Sequence, residues 1–457
     1  MSIAEDAHRL SAGPDKRAAQ IAVALEDEII GRGWPVGELL GRENELRERF
    51  GVSQSVLRQA IRLLEHHKVA GMRRGRGGGL VVSAPDASPA TRALVIYLEY
   101  VGTSVEDLLR ARRLLEPLAA RLAAESVTEA GVDRLRGIVG SELSRPDRSA
   151  EDEFHVTLGQ LSGNVVLQLF LEVLTWLSGS YARTARRPTE ASLHAATEVS
   201  AARHAEIVDA VIAGDGVAAE VRVGTHLDEI EAWLLAHRVQ RPARGTRTRP
   251  VDPNPDGGPG GKRGEVLAGR IHDDIAAEGR QVGEVIGLEQ DLLTRYRVSR
   301  AVLREAVRIL EHHSVARMRR GPGGGLVIVA PDPAASIHTM ALYLDYKGTG
   351  PEQLRSVRDA IELGCIQTLG AAAAPPEAAA APGDAFHLEI ARLAGNPVLL
   401  LFLRVVLELG ARHGRRGPTR CAGHAVGEAH EAILDAIVSG DEGLAQLRMR
   451  RHLQALV

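Results

Sequence analysis

Six histidines fall into two sets with matching surroundings. His204 precedes Gly214 by ten residues and His226 follows it by twelve; His430, Gly440 and His452 repeat the arrangement. Each Gly-Asp step (Gly214-Asp215, Gly440-Asp441) stops one helix and restarts another. The two helices then fold back antiparallel, and at ~1.5 Å rise per residue both imidazoles stand roughly 15 to 18 Å from the turn, level with each other. His155 and His387 follow an acid by three or four residues, Glu151 and Asp152 in one case and Asp384 in the other, which puts acid and imidazole on one helix face. Three imidazoles and a carboxylate suit a divalent ion of the Zn²⁺, Ni²⁺ or Mn²⁺ type, and ligand softness does not choose among them.

A second chemistry lies upstream of each set. Val52–His67 reads VSQSVLRQAIRLLEHH and Val298–His313 reads VSRAVLREAVRILEHH. Val56, Leu57, Ala60, Ile61 and Leu64 recur with helical period, while Gln54, Arg58, Gln59 and Arg62 fall on the other side. Ser53 and Ser299 are suitable N-caps. A short helix precedes each, Arg42 to Phe50 and Leu288 to Tyr296, across a tight turn, the layout of a helix-turn-helix. Met72–Val82 (MRRGRGGGLVV) and Met318–Ile328 (MRRGPGGGLVI) then read as strand, glycine-rich tip and strand, a wing carrying Arg73, Arg74 and Arg76, or Arg319 and Arg320. Such arginines suit phosphate or a minor groove.

Each of these segments resembles the winged helix-turn-helix head of the GntR superfamily, whose pattern is a helix, an acidic "ExEL" helix, "GVSxxxxRxAxxxLE" and a Gly-rich wing. The matching residues are Glu43, Glu45, Leu46, Gly51, Val52, Ser53, Arg58, Ala60, Leu64, Glu65 and Gly75 to Gly79, and in the second segment Glu289, Leu292, Val298, Ser299, Arg304, Ala306, Leu310, Glu311 and Gly321 to Gly325. Asn44 and Gln290 stand where relatives often carry a DNA-contacting Arg. The position after the turn serine is Gln54 in one segment and Arg300 in the other. The resemblance implies base reading by Gln54, Ser55, Arg58, Arg300 and Arg304, with the wing arginines on the backbone.

The helical regions that follow resemble the FCD effector domain of the FadR subfamily, with pattern "DxxFH…SGN…H…AI..GD…H" and metal bound by the Asp and the histidines. Carried over residue by residue, the first metal set is Glu151, His155, His204 and His226, with Glu in place of the family Asp. The second is His387, His430 and His452 with Asp384, one residue off register because Gly383 occupies the acid's place. Arg112 and Arg358 match a helix arginine that in such domains can hold a ligand carboxylate bidentately. The resemblance implies a transcriptional regulator with double-stranded operator DNA and a small effector, expected to be a carboxylate, as partners.

The chain has 457 residues, too many for one core. Aromatic residues make up 3% and the rest is rich in helix formers, so the expected fold is mainly α: two winged helix-turn-helix heads, each followed by an all-α bundle. The expected boundaries are head one at 16–84, effector domain one at 90–236, a flexible Pro/Gly/Arg linker at 237–264, head two at 265–330 and a shortened effector domain two at 336–457. From Gly37 to Glu116 the copies keep an offset of 246 residues; past the Ala/Pro stretch Ala371–Gly383 it falls to 232, as expected of a tandem duplication.

The net charge of −3 does not itself suggest a nucleic-acid binder, but between Arg42 and Arg76 basic residues outnumber acidic ones by nine to four. Two cysteines, Cys365 and Cys421, are too few for a disulfide framework and fit a reducing compartment. With no signal-like start and no uninterrupted apolar span, a cytoplasmic, membrane-free protein is expected. With two heads on one polypeptide, an intramolecular pseudo-dimer is expected, with further self-association left open. A metal-dependent enzyme on the helical bundle and a direct metal sensor are the rival readings. The first has no obvious general base beside the histidines.

Overall fold

The computed structural model describes residues 14–73, 75, 77–144, 148–184, 190–236, 263–278, 280–312, 315–319, 321, 323–330, 332–369, 383–414 and 423–456. Residues 237–262 of the expected linker, most of the Ala/Pro stretch, Arg74, Arg76, Arg320 and Cys421 lie outside the described residues, and the last two linker residues, 263 and 264, are already helical. The rest fall into two compact units that do not follow chain order. One comprises residues up to Ala90 with Ala334–Gly348, the other Thr91–Pro333 with Thr349–Val457.

The first unit contains α1 (Pro14–Gly31), β1 (Leu39–Gly41), α2 (Glu43–Phe50), α3 (Gln54–His66), β2 (Ala70–Arg73) and β3 (Gly79–Val82). Gly51, at φ 58°, ends α2 in the left-handed conformation glycine tolerates. Ser53 then caps α3, its hydroxyl accepting from the Val56 N–H at 3.4 Å. The wing is an antiparallel pair with Arg73 opposite Gly79. At its tip a Cβ on Gly78 would strike the Arg73 carbonyl oxygen, so that position has no room for a side chain. The strand β1 was not expected from the sequence. It adds Leu39 opposite Val81, giving a three-stranded sheet of order β1-β3-β2. Three residues are too few to show a period-2 pattern.

The first unit's core joins Leu25, Ile29, Leu57, Leu64 and Leu80, all fully buried, with Leu342 from α14 (Ala334–Tyr346). A helix more than 250 residues away in sequence thus completes this head. Trp34 Nε1 donates to Asp345 Oδ2 at 3.0 Å, and the Trp34 ring meets Tyr346 edge-on at 5.4 Å. The expectation of one domain over 336–457 is corrected at its first helix. Sequence adjacency assigned α14 to the domain that follows it, whereas its Leu342 is buried in the core of the first head.

The second unit contains α4 (Ser88–Val101) from Thr91 onward, α5 (Val105–Ser126), α6 (Glu129–Ser144), α7 (Arg148–Leu161), α8 (Val165–Thr184), α9 (Glu190–Ile212) and α10 (Gly216–Ala236). It continues with α11 (Arg263–Ala277), β4 (Val285–Gly287), α12 (Glu289–Tyr296), α13 (Arg300–His312), β5 (Ala316–Arg319) and β6 (Gly325–Ile328). These last elements repeat the order and register of residues 14–82: Arg319 pairs Gly325, and Val285 pairs Val327. Arg297, at φ 52°, adopts the left-handed turn that Gly51 supplies in the first copy. Their core includes Leu292, Leu303, Leu310 and Leu326, with Ile96 of α4 packed against it.

The helices α15 (Pro351–Thr368), α16 (Asp384–Leu393), α17 (Pro397–Gly414), α18 (Gly423–Val438) and α19 (Glu442–Ala455) complete the second unit. The two helical regions meet through reciprocal contacts. Asn164 Nδ2 donates to the Gln353 carbonyl and Asn396 Nδ2 to the Asp107 carbonyl, each at 2.9 Å, while Phe170 stacks on Phe402 at 4.0 Å and 8°. Asn164 and Asn396 are equivalent positions, as are Asp107 and Gln353, so the contact is self-complementary, like that of a two-fold dimer.

Because Leu342 is fully buried in the first head, Leu342→Ala should cost that head about 2–5 kcal/mol. Amide hydrogen exchange should rise in α1 and β3 as well as in α14. Faster exchange confined to 334–346 would show that α14 does not hold the head.

Candidate metal centres and nucleic-acid interface

The Gly-Asp turns position the first pair of histidines in each effector region. Gly214 (φ 70°) and Gly440 (φ 74°) end α9 and α18 in the left-handed region. Asp215 and Asp441 then cap α10 and α19, accepting from the Ala218 and Leu444 N–H groups at 2.9 Å. His204 and His226 consequently face each other with Nε2 atoms 3.0 Å apart, and His430 and His452 at 3.1 Å. The third histidine enters from α7 or α16. His155 stacks on His226 at 5.4 Å, and His387 Nε2 lies 3.3 Å from His452 Nε2.

In each cluster one nitrogen from every histidine lies within 4.8 Å of the others, and all six residues are buried. A tetrahedral ion with Zn–N bonds of ~2.0–2.1 Å would hold its nitrogens about 3.3 Å apart, close to the spacing observed. Burial, with His155 and Arg112 adding to it, pulls the His226 imidazole down to about 3, and burial with its histidine neighbours pulls His204 well below its usual value. In the second cluster burial and the neighbouring histidines bring His430 and His452 to about 4. These four imidazoles are neutral at physiological pH, the form that binds metal.

Buried carboxylates orient the rings. Glu142 on α6 accepts from His204 Nδ1 at 2.8 Å. Glu116 Oε2 lies 2.8 Å from His155 Nδ1, close enough to pair although the angle falls short of a hydrogen bond, and Glu362 accepts from His387 Nδ1. A glutamate thus holds the Nδ1 of His204 and of His387 while their Nε2 atoms face the other histidines, the outer-shell arrangement of metal-bound histidines. Burial pushes the Glu116 carboxyl up, but Arg112 and then His155 outweigh it and hold it below the ordinary range. Glu116, Glu142 and Glu362 were not foreseen. Glu116 and Glu362 lie four residues after Arg112 and Arg358, a spacing that signals an ion pair but not what the pair supports.

Arg112 and Arg358, expected to hold an effector, each pair through Nε with these glutamates. Arg112 Nη1 also reaches Ser178 Oγ at 3.3 Å. A carboxylate would therefore have to be gripped by the terminal nitrogens alone. Of the expected acidic ligands, the Glu151 side chain lies outside the described residues. Asp384 is not among the converging atoms. Its side chain is 55% exposed and 3.7 Å from Arg358 Nη2: as the first residue of α16 it turns to the arginine and the surface instead of the cluster. The positions facing Glu142 in the second copy, 370–382, are outside the described residues. Burial, then Glu362, pushes the Cys365 thiol up to about 12, leaving it unreactive.

The expected DNA-reading residues stand at the exposed start of each helix. Gln54, Ser55 and Arg58 are exposed, and Gln54 Nε2 and Arg58 Nε both donate to Glu43 Oε1, at 3.1 and 2.9 Å. Arg300 is exposed, 3.9 Å from Glu289 Oε1, and Arg304 is exposed one turn on. Arg73 and Arg319 lie exposed on the wings, Arg319 donating to the Gly323 carbonyl at 2.6 Å.

Because Glu142 orients His204, Glu142→Ala should weaken metal binding at the first cluster roughly 10- to 100-fold. Competition with a chromophoric chelator in a chain carrying His430→Ala, with the His204→Ala, His430→Ala chain as background, isolates the first cluster. Unchanged affinity would show that the contact does not serve the cluster.

The FCD domain family matches residues 107–229 and 350–455, together half of the chain, and the family of bacterial regulatory proteins, gntR family, matches residues 17–79. The Uxu operon regulator of Haemophilus influenzae is 31% identical over 34% of this chain and 58% of its own length. The regulator LutR of Bacillus subtilis is 29% identical over 44% of this chain and 93% of its own length, and the Uxu operon transcriptional regulator of Escherichia coli is 26% identical over 47% and 86%. Among solved structures, Streptococcus agalactiae GntR is 25% identical over 47% of this chain and 99% of that one, with a TM-score of 0.35. With one gntR-type head and two FCD domains matched, the chain belongs to the GntR-family transcriptional regulators that carry FCD effector-binding domains.

Proposed function

We propose that this protein is a regulator that reads a two-half operator with a single chain, and that residues 263–328 form its second DNA-binding head. The observation that carries the proposal is the exchange of helices between halves. Leu342, after the second sheet, is buried in the first head, and Ile96, after the first sheet, packs on the second set of head elements. The self-complementary contact of Asn164 with Asn396's half adds to it. Each half then supplies what an identical second chain would supply in a homodimer. The two reading ends differ, Gln54-Ser55 against Arg300-Ala301; Gln favours adenine and Arg favours guanine, so the preferred operator is an imperfect palindrome.

In this reading each three-histidine cluster holds a divalent ion. Bound there, the ion would supply a Lewis-acidic site for an oxygen ligand such as a small carboxylate. The chain's own contribution is to present neutral Nε2 atoms, to exclude water from the clusters, and to offer the Arg112 and Arg358 terminal nitrogens beside them. Ligand binding that favours one packing of the bundle would change the spacing of the heads.

Operator selection with the purified chain should return half-sites that differ. Arg58→Ala and Arg304→Ala should each cost on the order of 1–3 kcal/mol on the selected site if each reads a base. A perfect palindrome, or a loss on Arg58→Ala with none on Arg304→Ala, would remove the second head from the reading.

A further inference from the structure

A third group of convergent side chains lies in the first unit, whereas both three-histidine clusters belong to the second. Glu26 is 1% exposed on α1. His67, at the C-cap of α3, places Nδ1 2.6 Å from Glu26 Oε1, and His338 on α14 places Nε2 2.9 Å from Glu26 Oε2. The two imidazole centroids lie 4.5 Å apart, with the rings tilted by 55°. One nitrogen of each and the carboxylate lie within 4.8 Å of one another. The carboxylate is sealed from solvent, whereas the His67 and His338 side chains are 12% and 22% exposed, so the group opens on its imidazole side.

We propose that Glu26, His67 and His338 form a third divalent-metal site, which fastens α14 to the first head. Two imidazoles and one carboxylate from three separate elements are a donor set that zinc-class ions take up, with remaining positions open to water. Hydrogen-bond distances of 2.6 and 2.9 Å need lengthen by about 0.7 and 0.4 Å to reach the ~3.3 Å ligand-to-ligand spacing around a tetrahedral ion. The site is particular to the first head. At the corresponding sequence positions His272 stands for Glu26, His313 for His67 and Arg92 for His338, so the carboxylate is missing and a guanidinium, which cannot ligate a cation, replaces one imidazole. An ion here would tie the first head, and not the second, to metal supply, independently of any ion in the effector clusters.

The test is a metal count on the full chain after loading with Zn²⁺ and desalting. Glu26→Gln and His338→Ala should each lower the count by one per chain. The chain carrying His204→Ala and His452→Ala should retain one ion, and adding His338→Ala should remove it. Zn²⁺ should also slow hydrogen exchange over 334–346 in the His204→Ala, His452→Ala chain and not in its His338→Ala derivative. Circular dichroism of each variant separates loss of the ion from loss of the fold. If neither single variant changes the count, or if the chain without effector clusters holds no ion, the three residues are a hydrogen-bonded clasp only and the proposal is overturned.

Discussion

The burial of Leu342 in the first head is the contact on which the architecture depends. A winged head of about 65 residues has little interior, and small domains bury too small a fraction of their surface to be robust alone. Here the missing apolar surface comes from a helix on the far side of the sequence, and Ile96 makes the matching contribution in the other direction. Within the second unit, Asn164 and Asn396 repeat this reciprocity. Each caps the helix that follows it, through Val166 and Val398 N–H groups, while its amide nitrogen crosses to the other half.

The histidine clusters follow from the same economy. A buried imidazole is costly to leave without a polar partner, and in both halves a glutamate one turn beyond an arginine lies against a ring nitrogen, Glu116 beside His155 and Glu362 hydrogen-bonded to His387. The arginine neutralises the glutamate, the glutamate fixes the ring, and three rings turned inward make a centre. The halves have diverged at the periphery. The first cluster has Glu142 behind His204, and the second has lost the register of its acid, leaving Asp384 at the surface with Arg358.

The local chemistry was readable in the sequence wherever it rests on short-range periodicity. Helical period, the serine N-caps and the wing glycines located α2, α3, β2 and β3, and counting from Gly214 and Gly440 set the paired histidines level. What was not readable depends on contacts distant along the chain. Nothing near Leu342 says that its partner is a head ending at residue 82, so α14 was assigned to the domain after it. Glu142 lies 62 residues from His204 and is marked by no motif. The three-residue β1 is shorter than any periodic signal. Arg112 and Arg358 were read as effector ligands, whereas in the packed helices each pairs through Nε with the glutamate one turn on, a role visible only once the helices are packed.

The account rests on one chain doing the work of two. The most direct measurement is native mass spectrometry of the protein bound to a duplex carrying both half-sites, counting chains per duplex. The account predicts one chain per operator. Two chains on each duplex, with one head of each chain engaged, would contradict it.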